Sequence, residues 1–392
     1  MNPSFAHIPH EVDDDVPVLR VRNFSCLKDL TVRFNRLVVL IGEQASGKSV
    51  TCKLYYFFTE ALQKVAQSCL WDDVDSDDFK KRLGGEFESI FPSPAWVSDS
   101  FAIEWKFRDF VARIEHKGRN HRVTLDIGEY ERRYTNVLER VRSEKKGQRK
   151  RVGFDYHWHL DKVIQNTLSG EFPALNVVYV PAGRSFFSTI HDAVFSLLSN
   201  NIGIDYFLKD FGHRLEVFRQ FEYQFSSGRM TSLFEGWCRD IVHGTYSYDG
   251  KEQWISSDKK HRIRLSDASS GQQEALPLLM VLARFAEMSE KRTGMNRIVI
   301  EEPEAHLYPT AQQAIVKALG DLLQVNRGAI ITTHSPFILC CVNNVLLKLQ
   351  PELRSVSAYH LHDGGGDAIY DPELTVINAE RFDDISIGIA NA

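Results

Sequence analysis

Gly42-Glu43-Gln44-Ala45-Ser46-Gly47-Lys48-Ser49 is the stretch from which the fold of this chain is read. Before it runs Leu37-Val38-Val39-Leu40-Ile41, a continuous apolar segment of the kind that forms a strand buried on both faces. After it, residues from Lys48 to about Gln67 carry a helical pattern. Strand, glycine-bearing loop and helix in that order make a phosphate cradle. The glycines let the backbone wrap closely, its amides point inward, and the helix N-terminus adds its dipole. The pattern assigns Lys48 to the β- and γ-phosphates of a nucleoside triphosphate and Ser49 to Mg²⁺. Gly42, Gln44, Ala45, Ser46, Gly47, Lys48, Ser49 and Val50 are the expected nucleotide-contacting residues.

Two further apolar strands end in chemistry. Arg297 to Ile300 runs into Glu301-Glu302-Pro303, and Ala329-Ile330-Ile331-Thr332 runs into Thr333-His334-Ser335. Adjacent carboxylates at a strand end alternate in direction, so one faces the Mg²⁺ shell while the next reaches an attacking water. On that reading Glu301 serves the metal through water, and Glu302 polarises the nucleophile. Pro303 stops the strand. Ser269-Ser270-Gly271-Gln272-Gln273 precedes a helix from Gln273 to about Glu290, and by itself reads as a loop before a helix.

Glu301-Glu302-Pro303-Glu304-Ala305-His306-Leu307-Tyr308-Pro309 resembles the Walker B segment and D-loop of the ABC-type ATPases of the OLD (overcoming lysogenization defect) and RecF/SMC group. The likeness runs from Val18 to about Leu347 and is loose over residues 60–170. It implies an α/β fold, an ABC-type P-loop ATPase head with a mixed central sheet, an antiparallel β subdomain and a helical lobe. It also implies that Ser269, Ser270, Gly271 and Gln272 form the signature motif, which contacts the γ-phosphate held by a second copy of the chain. Ser270 stands where the group usually has the first of two glycines. His334 falls at the switch histidine, a γ-phosphate sensor, so Glu302, His334 and Lys48 are the implied catalytic residues. ATP and Mg²⁺ are the implied cofactors. No aromatic stands out to stack on the adenine.

The rest of the chain frames this site. Val18-Leu19-Arg20-Val21 and Leu30-Thr31-Val32-Arg33-Phe34 read as short strands, and Phe101 to Ile127 as a meander. Asp72, Asp73, Asp75, Asp77 and Asp78 read as a solvated acidic loop. Leu175 to Val180 is another buried strand, ending in Pro181-Ala182-Gly183-Arg184, where Arg184 either reaches phosphate or the partner subunit, or makes a salt bridge. The stretch Glu131–Arg151 holds nine Lys/Arg against three Glu. It is either a nucleic-acid or acidic-partner contact, through Arg132 to Arg151, or a solvated helix and loop. Residues 16–392 are expected to form a single ATPase domain with a basic insertion at 129–170, a helical lobe at 187–250 and a flexible N-terminus at 1–15.

Bulk properties narrow the class. The chain has 392 residues, 43% apolar and 25% charged, with a net charge of −5, which argues against wholesale coating of nucleic acid. Six scattered cysteines lack zinc spacing and read as reduced thiols of a cytoplasmic protein. Met1 to Asp15 has no basic start and no apolar core, so it does not read as a signal peptide, and no run approaches the length of a membrane helix. Only 58 residues follow His334, too few for the Toprim nuclease domain of OLD nucleases, so nuclease activity is not expected. A stand-alone ATPase of this kind resembles the ATPase subunits of bacterial anti-phage systems, the Septu and retron-associated types, which control a separate nuclease or toxin. A RecF-like DNA-repair ATPase and a non-hydrolysing, ATP-gated scaffold that cages an effector are the alternatives.

Overall fold

The computed structural model describes residues 14–118, 122–147, 154–173, 175–189, 205–220, 228–258, 261–289, 295–324 and 327–378. Part of the basic run (Arg149, Lys150, Arg151), most of residues 1–15 and parts of the 187–250 segment lie outside them. Two compact units are present: Met1–Asn35, Glu43–Val177 and Leu361–Asp367 form the first, and Arg36–Gly42, Val178–His360 and Ala368–Ala392 the second.

The first unit is built on an antiparallel five-stranded sheet. Its spatial order is Leu27–Arg33, Val18–Phe24, Ser100–Phe107, Phe110–Lys117, Thr124–Asp126. Phe110–Lys117 alternates buried and open positions, the period-two pattern of a sheet with one packed face. The packed face is aromatic: Phe58 stacks on Trp105 at 5.7 Å between centroids, Phe34 meets Tyr55 at 4.3 Å, and Phe24 meets Phe101 edge-on at 4.8 Å. The helix that leaves the P-loop, Lys48–Tyr56, passes through a π-turn at Phe57–Ala61 and continues as Leu62–Trp71, longer than its sequence pattern indicated.

The acidic stretch is not an open loop. Asp75 caps the helix Ser76–Ile90 by accepting from the Asp78 amide at 3.0 Å, and Asp77 and Asp78 sit in its first turn. Carboxylates at a helix N-terminus satisfy orphan amides and complement the dipole, a use that loop composition does not distinguish from simple solvation. The basic run begins as the helix Gly128–Gly147. Its arginines are held by acids of the same unit: Arg132 and Arg133 on Glu129, Arg140 on Glu171 at 2.9 Å and Arg142 on Asp73 at 2.6 Å.

The second unit supplies most of a six-stranded sheet with the order Gly365–Ala368, Val356–His362, Leu37–Gly42, Gly328–Thr333, Met295–Glu301, Leu175–Val180. Leu37–Gly42, Gly328–Thr333 and Met295–Glu301 run parallel to one another, with Thr333 opposite Ile41 and Glu301 opposite Thr332. They are buried nearly throughout, as strands covered on both faces must be. The core around them takes residues from helices Ser270–Ser289, Pro309–Gln324 and Pro336–Leu346. Gly320 lets the latter two pack closely, since a Cβ there would lie 2.7 Å from Val345. A small antiparallel sheet of Thr245–Tyr248, Gln253–Ser256 and Arg262–Arg264 completes the unit. The mixed α/β architecture, with a mixed central sheet and separate antiparallel sheets, is the expected fold class. Among the described residues no helix is long and apolar enough to cross a membrane.

Candidate nucleotide site

Within the first unit the P-loop has the shape of an anion cradle. Ala45 and Gly47 both have left-handed backbones, at φ 61° and 101°, the kind of conformation from which anion-binding nests are built. A Cβ at Gly47 would be strained by that φ and would also lie 2.3 Å from Leu27 Cδ2, which would have to move. Helix Lys48–Tyr56 starts at the next residue and brings its amide-rich end to the loop. Lys48 is buried and donates from Nζ to the Glu43 carbonyl at 2.8 Å, so its ammonium curls over the loop it belongs to. Glu43, Gln44, Ala45 and Ser49 are exposed.

In the second unit, three candidate segments leave the same end of three adjacent parallel strands: Gly42 from the first, Thr333-His334 from the second and Glu301-Glu302 from the third. Ligands of open α/β sheets sit outside the carboxyl ends of such strands. Glu301 is the last residue of its strand and is buried. Its Oε1 accepts from the Tyr179 hydroxyl at 2.8 Å and its Oε2 from the Ala182 amide at 3.2 Å. Glu302 does not simply alternate with it. It turns into the left-handed region at φ 44°, with its amide donating to the Thr332 carbonyl at 3.0 Å. A side-chain residue held there is strained, and strain of this kind gathers at functional positions. Glu302 Oε1 lies 3.2 Å from His334 Nε2, and both side chains are half-buried.

Glu304 completes the cluster. Its Oε1 accepts from Thr333 Oγ1 at 2.5 Å and from the His334 amide at 3.0 Å, so it fixes the backbone that carries the histidine. Sequence reasoning quoted Glu304 without giving it a role. Its place two residues beyond Glu302, past a strand-ending proline, was the available signal. Tyr179 and Glu274 were missed because nothing local marks them.

Ser269-Ser270-Gly271-Gln272 is the capped start of a helix, not a slack loop. Helix Ser270–Ser289 begins three residues earlier than its pattern suggested. Ser269 donates its amide and hydroxyl to Gln272 Oε1, both at 3.1 Å, and Ser269 Oγ receives the Gln272 amide at 3.4 Å, a reciprocal capping box. Gly271 packs against the turn at His306, since a Cβ there would lie 2.8 Å from the His306 carbonyl oxygen. Ser269 and Ser270 are exposed, so a helix N-terminus with hydroxyls is presented to solvent.

Arg184 settles on the salt-bridge alternative. It is fully buried, with Nε 3.2 Å from Glu274 Oε2. Burial pulls its guanidinium pKa down, and Glu274 opposes that shift. Among the described residues no group of three His, Cys, Asp or Glu side chains is arranged to hold a metal ion unaided.

Residues 184–339 match the AAA ATPase domain family. No curated protein gives a significant match to the chain. Similar solved structures include an Smc head bound to the C-winged helix domain of ScpA, at 11% identity, 90% of this chain, 96% of that chain and a TM-score of 0.47. The SMC head domain from Thermotoga maritima follows at 13% identity, 90% and 98% coverage and 0.40, and the recombination mediator protein RecF of the RecFOR pathway at 10%, 90%, 98% and 0.39. With TM-scores below 0.5 these likenesses carry no functional argument. The matched segment contains Arg184, helix Ser270–Ser289, Glu301, Glu302 and His334, and begins after the P-loop in the chain.

Proposed function

We propose that the chain is an Mg²⁺-dependent ATPase of ABC type that binds ATP at Gly42–Val50, closes head to tail on a second copy of itself and controls a separate effector. Three adjacent parallel strands release Gly42, His334 and Glu301-Glu302 from the same end, and this alignment carries the reading. The left-handed P-loop backbone and Lys48 suit a polyphosphate. The Ser49 hydroxyl and the Glu301 carboxylate are hard oxygen donors, the chemistry Mg²⁺ takes, and the ion when bound would neutralise phosphate charge. Glu302 orients and deprotonates the attacking water, and His334 holds the Glu302 carboxylate in one direction and reports on the terminal phosphate. The exposed N-terminus of helix Ser270–Ser289 offers an anion site to the phosphate held by a second copy. The effector role, with a nuclease or toxin as partner in anti-phage defence, rests on the family resemblance of the motifs. The ion pairs made by Arg132, Arg133, Arg140 and Arg142 weigh against that helix as a nucleic-acid contact.

The test is ATP hydrolysis against protein concentration, with Mg²⁺, in the presence and absence of duplex DNA. Per-protomer activity that rises with concentration supports sites shared between copies. A DNA-dependent increase would move the reading to a RecF-like repair ATPase, and ATP binding without turnover would move it to a gated scaffold.

A further inference from the structure

Arg184 is a large cation with no access to solvent, and its donors are aimed at the backbone of the candidate catalytic loop. Nη1 donates to the Glu301 carbonyl at 2.7 Å and to the Pro181 carbonyl at 3.2 Å, and Nη2 donates to the Glu302 carbonyl at 3.0 Å. The guanidinium therefore grips the peptide groups on both sides of the strained Glu302 backbone. A left-handed side-chain residue persists only where its surroundings over-determine it. Here the Glu302 amide is held by the Thr332 carbonyl and its carbonyl by Arg184.

The same arginine is bound from the other side by the signature helix. Glu274, in the first turns of Ser270–Ser289, accepts at Oε2 from the Arg184 amide at 3.1 Å and at Oε1 from the Ser185 amide at 3.0 Å, while its own carbonyl receives Arg184 Nε at 3.2 Å. The carboxylate and the arginine are both shielded from water, so the pair has no solvent to substitute for either partner. The helix end that presents Ser270 and the peptide that aims Glu302 are thus joined through one side chain.

We infer that Arg184 is a positioning residue that acts through Glu302, holding its left-handed backbone and tying its direction to the seating of the Ser270 helix by way of Glu274. This rests on the ATPase reading above. It separates aiming the water-activating carboxylate from holding the nucleotide, which the P-loop does.

The test compares Arg184→Lys with the parent chain and repeats the pair in a Glu302→Gln background. Two readouts are taken: steady-state hydrolysis with nucleotide affinity, and amide hydrogen exchange over Glu301–Ala305. The expected result is a kcat lowered about 10²-fold, as for a misaimed catalytic group, with KM and nucleotide affinity within about twofold. Exchange over Glu301–Ala305 rises, and the substitution has no further effect on rate in Glu302→Gln, because both changes remove one function. An equal loss in both backgrounds, or unchanged exchange, overturns the inference. If Arg184→Lys does not fold, Glu274→Gln is read the same way, with a smaller loss expected. A parent chain without turnover defeats the ATPase reading, whereas the exchange result still decides whether Arg184 holds Glu302.

Discussion

Glu302 and His334 stand at the carboxyl ends of neighbouring parallel strands, and Glu302 Oε1 lies 3.2 Å from His334 Nε2. A carboxylate that faces an imidazole at this distance is oriented by it. Since both are only half-buried, the pair is open to solvent rather than locked in a core.

Glu302→Gln keeps the shape and removes the proposed base. Hydrolysis should fall on the order of 10²–10³-fold, the range of a general base, while ATP binding survives and a closed dimer accumulates. Size-exclusion chromatography with ATP and a phosphate-release assay check both halves. Turnover at the parent rate would remove Glu302 from the catalytic role.

Lys48→Ala takes away the ammonium that curls over the P-loop. Nucleotide affinity should drop at least about tenfold, the effect of losing one charge-assisted contact of ~1.4 kcal/mol or more. Titration with a fluorescent ATP analogue reads this directly, and unaltered affinity would place the phosphates elsewhere.

Glu304 holds Thr333 and the His334 amide with one oxygen. Glu304→Ala leaves that amide unpaired, at a cost of about 1–3 kcal/mol in stability. It also frees His334 to drift from Glu302, so kcat should fall together with the melting temperature. Should the melting temperature drop while kcat holds, Glu304 is a purely structural clamp.

Arg132 and Arg133 hold the Glu129 carboxyl down to about 2, from an ordinary 4.5. Because the folded value lies below the unfolded one, the ion pairs stabilise the first unit above about pH 4.5, and the contribution fades as pH falls toward 2. Glu129→Gln should therefore lose less stability than the parent over that window. Urea midpoints measured at pH 6 and pH 3 compare the two, and parallel losses would contradict the pairing.

Cys26 and Cys340 are exposed, whereas Cys52, Cys69, Cys238 and Cys341 are buried, and burial pushes the Cys238 thiol up to about 12. A thiol so rarely ionised does not react. Brief iodoacetamide treatment of the native chain should label Cys26 and Cys340 and spare Cys238, as peptide mass mapping will report.

Much of the scaffold was legible in local sequence. Leu37–Ile41, Ile298–Ile300 and Ala329–Thr332 read as buried strands because strands covered on both faces need no alternation. The P-loop pattern was legible because its glycines and lysine stand within a few residues of one another. The acidic stretch was misread because a capping carboxylate and a solvated one look alike until the following helix is seen. The basic run was ambiguous for a related reason: Glu171 and Asp73, which hold Arg140 and Arg142, lie far from them in the chain.

Sequence by itself determined which apolar strands end in candidate site residues and which residues those are, since apolar runs and short motifs are written in neighbouring positions. Only the tertiary structure decided how those residues are held. The left-handed turn of Glu302, the clasp of Arg184 on Glu301, Glu302 and Glu274, and the hydroxyl of Tyr179 on Glu301 join positions roughly 90 to 120 residues apart. Those contacts exist because Met295–Glu301 lies between Gly328–Thr333 and Leu175–Val180 in the sheet, an order set by the packing of the whole core rather than by any one segment.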